Sequence, residues 1–261
     1  MVSRSTFSIA SGWISLMSWV VVYTPQIYEN YRLKSGEGLS LFFVLVMLLG
    51  DLTNLIGGVM INLLPPMLLL ALYYTSCDVI LLYQMYIYRL KPDQETDERV
   101  HLLPKRDVSP EELHNQHKRQ RFVNFLCTGL VIATGFIAFI ININKPYNGP
   151  HEQHSDWKGQ AIGWTSALLY TTSRIPQIRK NNVTKCEGLS IPLFCFALSG
   201  NISYVLQVIF ESTDFNYILI NSSWLTGTVG TIILDLVVLG QYIYYQHWEA
   251  SRLTSIDREN T

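Results

Sequence analysis

The sequence predicts an all-α integral membrane protein in which seven transmembrane helices form two parallel three-helix bundles joined by a linker helix. Charge is scarce, at 15% of 261 residues against 49% apolar or aromatic. Charge-poor stretches of about 20 residues, the length that crosses a hydrocarbon core, recur at 5–28, 38–60, 65–88, 122–143, 159–178, 188–210 and 218–245. One three-span pattern also occurs twice along the chain.

The first stretch follows a single cation, Arg4, and its length and Trp and Tyr content make it a retained span rather than a signal-peptide core. The mean hydropathy of +0.19 is modest because the spans hold many Tyr, Ser, Thr, Asn and Gln. Polar groups at membrane depth pack between helices or line a watery cavity. Sixteen Lys and Arg fall on one side of the predicted topology and three, Arg4, Lys145 and Lys158, on the other. By the positive-inside rule the N-terminus is lumenal and the C-terminus cytosolic. The basic loops follow from topology, so they give no reason to expect a nucleic-acid partner.

Pro25-Gln26-Ile27, Asn30 and Glu37-Gly38-Leu39-Ser40 reappear as Pro176-Gln177-Ile178, Asn181 and Glu187-Gly188-Leu189-Ser190. Ten residues past each Ser, Gly50-Asp51 matches Gly200-Asn201, and the third span of each copy carries an aspartate, Asp78 and Asp235. A unit of three spans ends on the side opposite its start. Two copies in one orientation therefore need an extra crossing between them, which fixes a three-one-three plan. The expected segments are a first repeat over 1–88, a cytosolic loop over 89–121, a linker span over 122–143, a second repeat over 159–245 and a cytosolic tail over 246–261.

Two Pro-Gln dipeptides at the ends of spans one and five, each followed by Glu-Gly-Leu-Ser, resemble the PQ-loop repeat proteins, relatives of the SWEET sugar carriers. Gly50-Asp51-Leu52-Thr53-Asn54-Leu55 and the run from Ser223 to Asp235 are similar to the lysosomal and vacuolar cationic amino-acid transporter branch. That resemblance implies a proton-driven carrier exporting arginine, lysine or histidine from a vacuole or lysosome, with the prolines as hinges.

The residues add their own reasons. Proline within a helix removes a backbone hydrogen bond and clashes with the preceding turn, so Pro25 and Pro176 read as paired hinges, with a fixed surface kink as the alternative. Gln26 and Gln177 are placed to bond the carbonyls that each proline frees. Asp51, Asp78 and Asp235 lie within spans, where an ionisable group costs about 2.5–3.5 kcal/mol on insertion scales and is rarely idle. A carboxylate attracts a cation and takes up a proton. Asp51 and Asp78, with Asn54, Asn201 and Tyr204, are the expected substrate-binding set, and Asp235, in its Gly-Thr-rich helix, the expected proton-coupling residue. The bland alternative is that each aspartate accepts hydrogen bonds from neighbours such as Tyr73, Tyr74 or Thr231. Arg174, within a turn of a basic loop, reads as snorkelling to the interface without a functional role.

In the loop over 89–121, Glu98, Leu102 and Leu103 form an acidic dileucine pattern, a sorting address for a clathrin-type adaptor. Cys77, Cys127, Cys186 and Cys195 show neither metal spacing nor an evident pairing, and the six histidines fall in loops or the tail. No cofactor or metal is expected. The chain holds no Ser-His-Asp, His-Glu-x-x-His or glycine-rich phosphate loop in plausible context, which argues against an enzyme. The expected partners are the lipid bilayer, cationic amino acids and protons. The other reading is a seven-helix nutrient receptor that couples solute binding to a cytosolic signalling partner.

Overall fold

Proline marks the start of four helices among the described residues, because its missing N–H and fixed φ suit the first turn. In the computed structural model, which describes residues 4–60, 65–90, 110–143 and 157–259, every regular element among the described residues is a helix. These are α1 Arg4–Val21, α2 Thr24–Leu33, α3 Leu41–Met60, α4 Pro65–Leu90, α5 Pro110–Asn142, α6 Trp157–Thr184, α7 Ile191–Glu211, α8 Phe215–Ile220 and α9 Ser222–Glu259. Pro65 and Pro110 begin their helices, and Pro25 and Pro192 take the second position of theirs. Pro176 lies inside α6.

The two Pro-Gln dipeptides act differently on their helices. A turn at Val22 and Tyr23 separates α1 from α2 just before Pro25, although Ile27 N–H still reaches Tyr23 O at 2.9 Å. At Pro176 the helix runs on without a break. Short α8 is fixed by a capping aspartate, Asp214, which accepts from the N–H groups of Asn216 at 3.0 Å and Tyr217 at 3.4 Å. Helix α5 begins well before residue 122, because Glu111 to Arg121 is rich in strong helix formers.

Four helical stretches have the length and hydropathy of a membrane crossing: Arg4–Leu33, Lys118–Asn142, Ile191–Glu211 and Ser222–Gln246. Within α3, the stretch Leu41–Ile56 is apolar as well. Helix α5 sits at the periphery, packed on α1 and α2, and turns Phe122, Phe125, Ile132 and Phe136 outward, each more than 60% exposed. An apolar surface of that kind belongs against lipid.

Packing repeats with the sequence. Helix α1 lies along α7 and α6 lies along α3, so the first helix of each copy packs on the second helix of the other; α3 also packs on α4, and α9 on both α6 and α7. At matched depths, a Cβ on Gly50 would come within 2.9 Å of Tyr170 Cε1, and one on Gly200 within 2.9 Å of Trp19 Nε1. Tyr170 and Trp19 each stand six residues before the proline of their own copy. The apolar core between the copies contains Phe43, Val44, Met47, Leu81, Phe194 and Val238.

Candidate functional site

Three aspartates on three helices are buried: Asp51 on α3, Asp78 on α4 and Asp235 on α9. The carboxyls of Asp51 and Asp78 face one another, with the hydroxyl of Tyr23 beside Asp78. Asp51 Oδ1 accepts a 2.6 Å hydrogen bond from Tyr170 Oη. That hydroxyl accepts from Asn54 Nδ2 at 2.6 Å, and Asn54 Oδ1 accepts from Ser166 Oγ at 2.6 Å. Every donor in this chain points toward Asp51, an alignment in which each bond polarises the next.

Asp235 has a different partner. Arg174 Nε donates to its Oδ1 at 3.1 Å, both side chains being buried. The sequence expectation of a snorkelling Arg174 is therefore corrected: its position on α6 turns it into the bundle, where an acid compensates its charge. Arg174 Nη1 donates to Tyr170 O at 3.1 Å and Ser173 Oγ at 2.9 Å and lies 3.0 Å from Met47 Sδ. Its guanidinium carbon is 5.5 Å from the centroid of Phe43, within cation–π range. Tyr170 thus holds Asp51 by its hydroxyl and Arg174 by its carbonyl.

Acceptors outnumber donors at this site. Asp51 Oδ2, both oxygens of Asp78 and Asp235 Oδ2 are buried without a donor. Buried acceptors ordinarily have partners, so four such oxygens beside one guanidinium and the phenols of Tyr23 and Tyr74 suit a ligand rich in N–H groups. Of the other expected binding residues, Asn54 joins the cluster through Tyr170. Tyr204 lies near Tyr217 of α8, and Asn201 follows Gly200, which packs on Trp19; no described contact takes either to the aspartates.

The Pro-Gln end of the bundle carries a second polar constellation. Gln26 Oε1 accepts from the backbone N–H of Ser190 at 2.8 Å, and Gln177 Oε1 from that of Ser40 at 2.6 Å. Each glutamine also donates within its own copy, Gln26 Nε2 to Asn30 Oδ1 at 2.7 Å and Gln177 Nε2 to Asn181 Oδ1 at 2.8 Å. Asn30 donates to Gln84 at 3.2 Å and Asn181 to Gln241 at 3.1 Å. Both glutamine side chains thus tie one copy to the other, rather than filling the carbonyls freed by proline as the sequence suggested. A side-chain amide can reach across an interface, and Ser40 and Ser190, immediately before α3 and α7, have N–H groups that need acceptors. Gly38 and Gly188 meet backbone to backbone, so closely that a Cβ on Gly38 would collide with Gly188 O, and Gly188 takes φ +70°.

Tyr23, Tyr170, Arg174, Gln84 and Gln241 escaped sequence reasoning as site residues. A signal for some of them existed. Tyr23 and Arg174 each stand two residues before a Pro-Gln proline, and the spacing from Asp78 to Gln84 equals that from Asp235 to Gln241. The sorting residues Glu98, Leu102 and Leu103 lie outside the described residues.

Comparison with known proteins decides the family. The PQ loop repeat model matches residues 7–67 and 159–217, the two halves identified by their internal repeat. The vacuolar lysine transporter YPQ1 of Saccharomyces cerevisiae is 36% identical, the match covering 94% of this chain and 95% of the relative. The chain belongs to the PQ-loop repeat family. Within it the chain stands in the vacuolar and lysosomal cationic amino-acid transporter branch. The vacuolar histidine transporter YPQ3 of the same yeast is 34% identical, over 90% of each chain. The lysosomal amino acid transporter 1 homolog of Homo sapiens is 27% identical, over 94% of this chain and 84% of the relative. These PQ-loop relatives are named as transporters, not as enzymes.

Proposed function

We propose that this PQ-loop protein is a secondary transporter that carries cationic amino acids, arginine, lysine or histidine, out of a vacuole or lysosome. The observation that carries the reading is the acid cluster of Asp51, Asp78 and Asp235, with four buried carboxylate oxygens lacking donors. An ammonium or guanidinium head brings several N–H donors and a positive charge to such a site. A neutral side chain of similar length brings fewer donors or none, and no charge to offset the acids.

In this reading the chain crosses the membrane seven times in the three-one-three plan, with a lumenal N-terminus and a cytosolic C-terminus. The Pro-Gln end then faces the cytosol, and its two glutamine clamps hold that side closed. Transport proceeds by rocking of the two repeats, with Pro25 and Pro176 as hinges. The cargo's cationic head is assigned to Asp51 and Asp78, and its remaining polar groups to Asn54, Asn201 and Tyr204.

Proton coupling is assigned to this carboxyl cluster, because two acids side by side in a dry site share one charge at lower cost than they hold two. Asp235 was the residue expected to couple from sequence. With Arg174 already neutralising it, the Asp51–Asp78 pair is the better place for the exchangeable proton. The dileucine pattern of Glu98, Leu102 and Leu103 is retained as the address for a clathrin-type adaptor.

The test is flux of labelled lysine, arginine and histidine through the reconstituted protein under an imposed pH difference, beside norleucine and glutamine. Saturable movement of the cationic set alone is expected. Equal movement of the neutral set would sink the reading.

A further inference from the structure

The two copies place chemically different residues at one position. Tyr23 and Arg174 each precede a Pro-Gln proline by two residues, and each meets the aspartate on the third helix of its own copy, Asp78 for Tyr23 and Asp235 for Arg174. In one copy the acid therefore faces a neutral phenol, and in the other a permanent cation. Arginine keeps its charge at any physiological pH, whatever its surroundings.

Arg174 is more than a local partner for Asp235. Its charge is felt by Asp51 and Asp78 as well, and its Nη1 is bonded to the carbonyl of Tyr170, the residue that holds Asp51. Its bond to Asp235 uses Nε and one carboxylate oxygen, leaving Asp235 Oδ2 without a donor. A committed Arg–carboxylate pair is usually bidentate. The guanidinium stands over the Phe43 ring, one residue before Ile175 and two before the hinge proline. It is a buried cation, bonded to one acid oxygen only, among three acids, at the point where the helix is expected to flex.

We propose that Arg174 is the resident cation of the transport site, which offsets one of its three aspartate charges in the return step, when no amino acid is bound. The inference rests on the carrier reading above. Three ionised aspartates and Arg174 leave the closed site with two uncompensated negative charges. A cationic side chain and one proton cancel both, so the loaded site crosses neutral. The empty site crosses with the full imbalance, and without Arg174 it would carry one charge more. Burying an extra charge at membrane depth is costly. Loss of Arg174 therefore falls hardest on the empty carrier.

Net uptake and exchange separate the two steps. Net uptake into lysine-free proteoliposomes needs the empty carrier to return, whereas exchange of labelled for unlabelled lysine across equal concentrations uses only the loaded one. Both are measured on the full chain at one pH on each side. For Arg174→Gln, net uptake is expected to fall by about a hundredfold and exchange by about tenfold or less, so their ratio shifts by at least about tenfold. Arg174→Lys, which keeps a cation, is expected to return the ratio to near the wild-type value. The double variant Arg174→Gln with Asp235→Asn restores the original charge total without leaving a buried acid unpaired. It should also recover the wild-type ratio, and it covers the case in which Arg174→Gln alone does not insert.

Equal loss of net uptake and exchange in Arg174→Gln would overturn the inference, since a merely structural pair predicts that result. So would a lysine variant or a double variant whose ratio remains shifted. A wild-type chain that moves no cationic amino acid in either assay would overturn the carrier reading, and the inference with it.

Discussion

Gln26 on α2 accepts a hydrogen bond from the backbone N–H of Ser190 at 2.8 Å, across 164 positions of sequence. Gln177 does the same to Ser40 at 2.6 Å, and its Nε2 also reaches Gly38 O at 3.1 Å. Lys180 adds a bond from the same helix to Leu39 O at 2.7 Å. Each copy thus grips the Glu-Gly-Leu-Ser loop of the other, which makes the Pro-Gln motif an interface element in both copies. Removing one clamp acceptor leaves a buried N–H unpaired, at a cost of about 1–3 kcal/mol.

The double variant Gln26→Leu with Gln177→Leu should therefore open the Pro-Gln end more often. Cys186 lies buried there and reports the opening. With Cys186 kept and Cys77, Cys127 and Cys195 replaced by Ala, its alkylation by a water-soluble maleimide is expected to rise by about tenfold or more. An unchanged rate would show that the clamps do not hold this end shut.

The prolines allow a test of motion. Pro25 coincides with a break between two helices, whereas Pro176 lies in a continuous one, so the two prolines proposed as hinges stand in unlike conformations. Pro25→Leu and Pro176→Leu are each expected to insert normally and to lose transport by at least about tenfold, with protein in the membrane measured alongside flux. Full lysine flux in both would remove the hinge assignment.

The donor chain from Ser166 through Asn54 and Tyr170 to Asp51 predicts a graded effect. Tyr170→Phe deletes the donor at Asp51 and the acceptor used by Asn54. A rise in KM for lysine of about tenfold is expected. Ser166→Ala removes only the outermost donor and should raise KM by about threefold. Uptake kinetics check both, and a larger effect at Ser166 than at Tyr170 would contradict the direction of the chain.

Proton coupling predicts where pH sensitivity resides. The groups facing the carboxyl pair are Tyr23 beside α2, Tyr74 and Cys77 on α4, and Tyr170 and Arg174 on α6. Asp78→Asn removes one member of the pair, and the remaining Asp51 keeps its Tyr170 donor. Lysine flux by this variant is expected to lose most of its dependence on the pH difference, by about tenfold or more in the ratio between imposed and absent gradients. Asp235→Asn should keep that dependence. The reverse pattern would return the coupling role to Asp235.

Sequence alone settled the helical class, the internal duplication and the aspartates within apolar stretches, because hydropathy, proline position and residue spacing are local properties written into consecutive residues. It also fixed the family, since the matched Pro-Gln and Glu-Gly-Leu-Ser segments are contiguous. Tertiary structure decided which groups meet. Arg174 reads as an interfacial cation until the rotation of α6 turns it toward Asp235, 61 positions away. Gln26 and Gln177 read as partners for their own helices until the two copies are brought face to face. The rotation of a helix about its axis and the partner it packs against are set by side chains distant in sequence, so no window along the chain contains them.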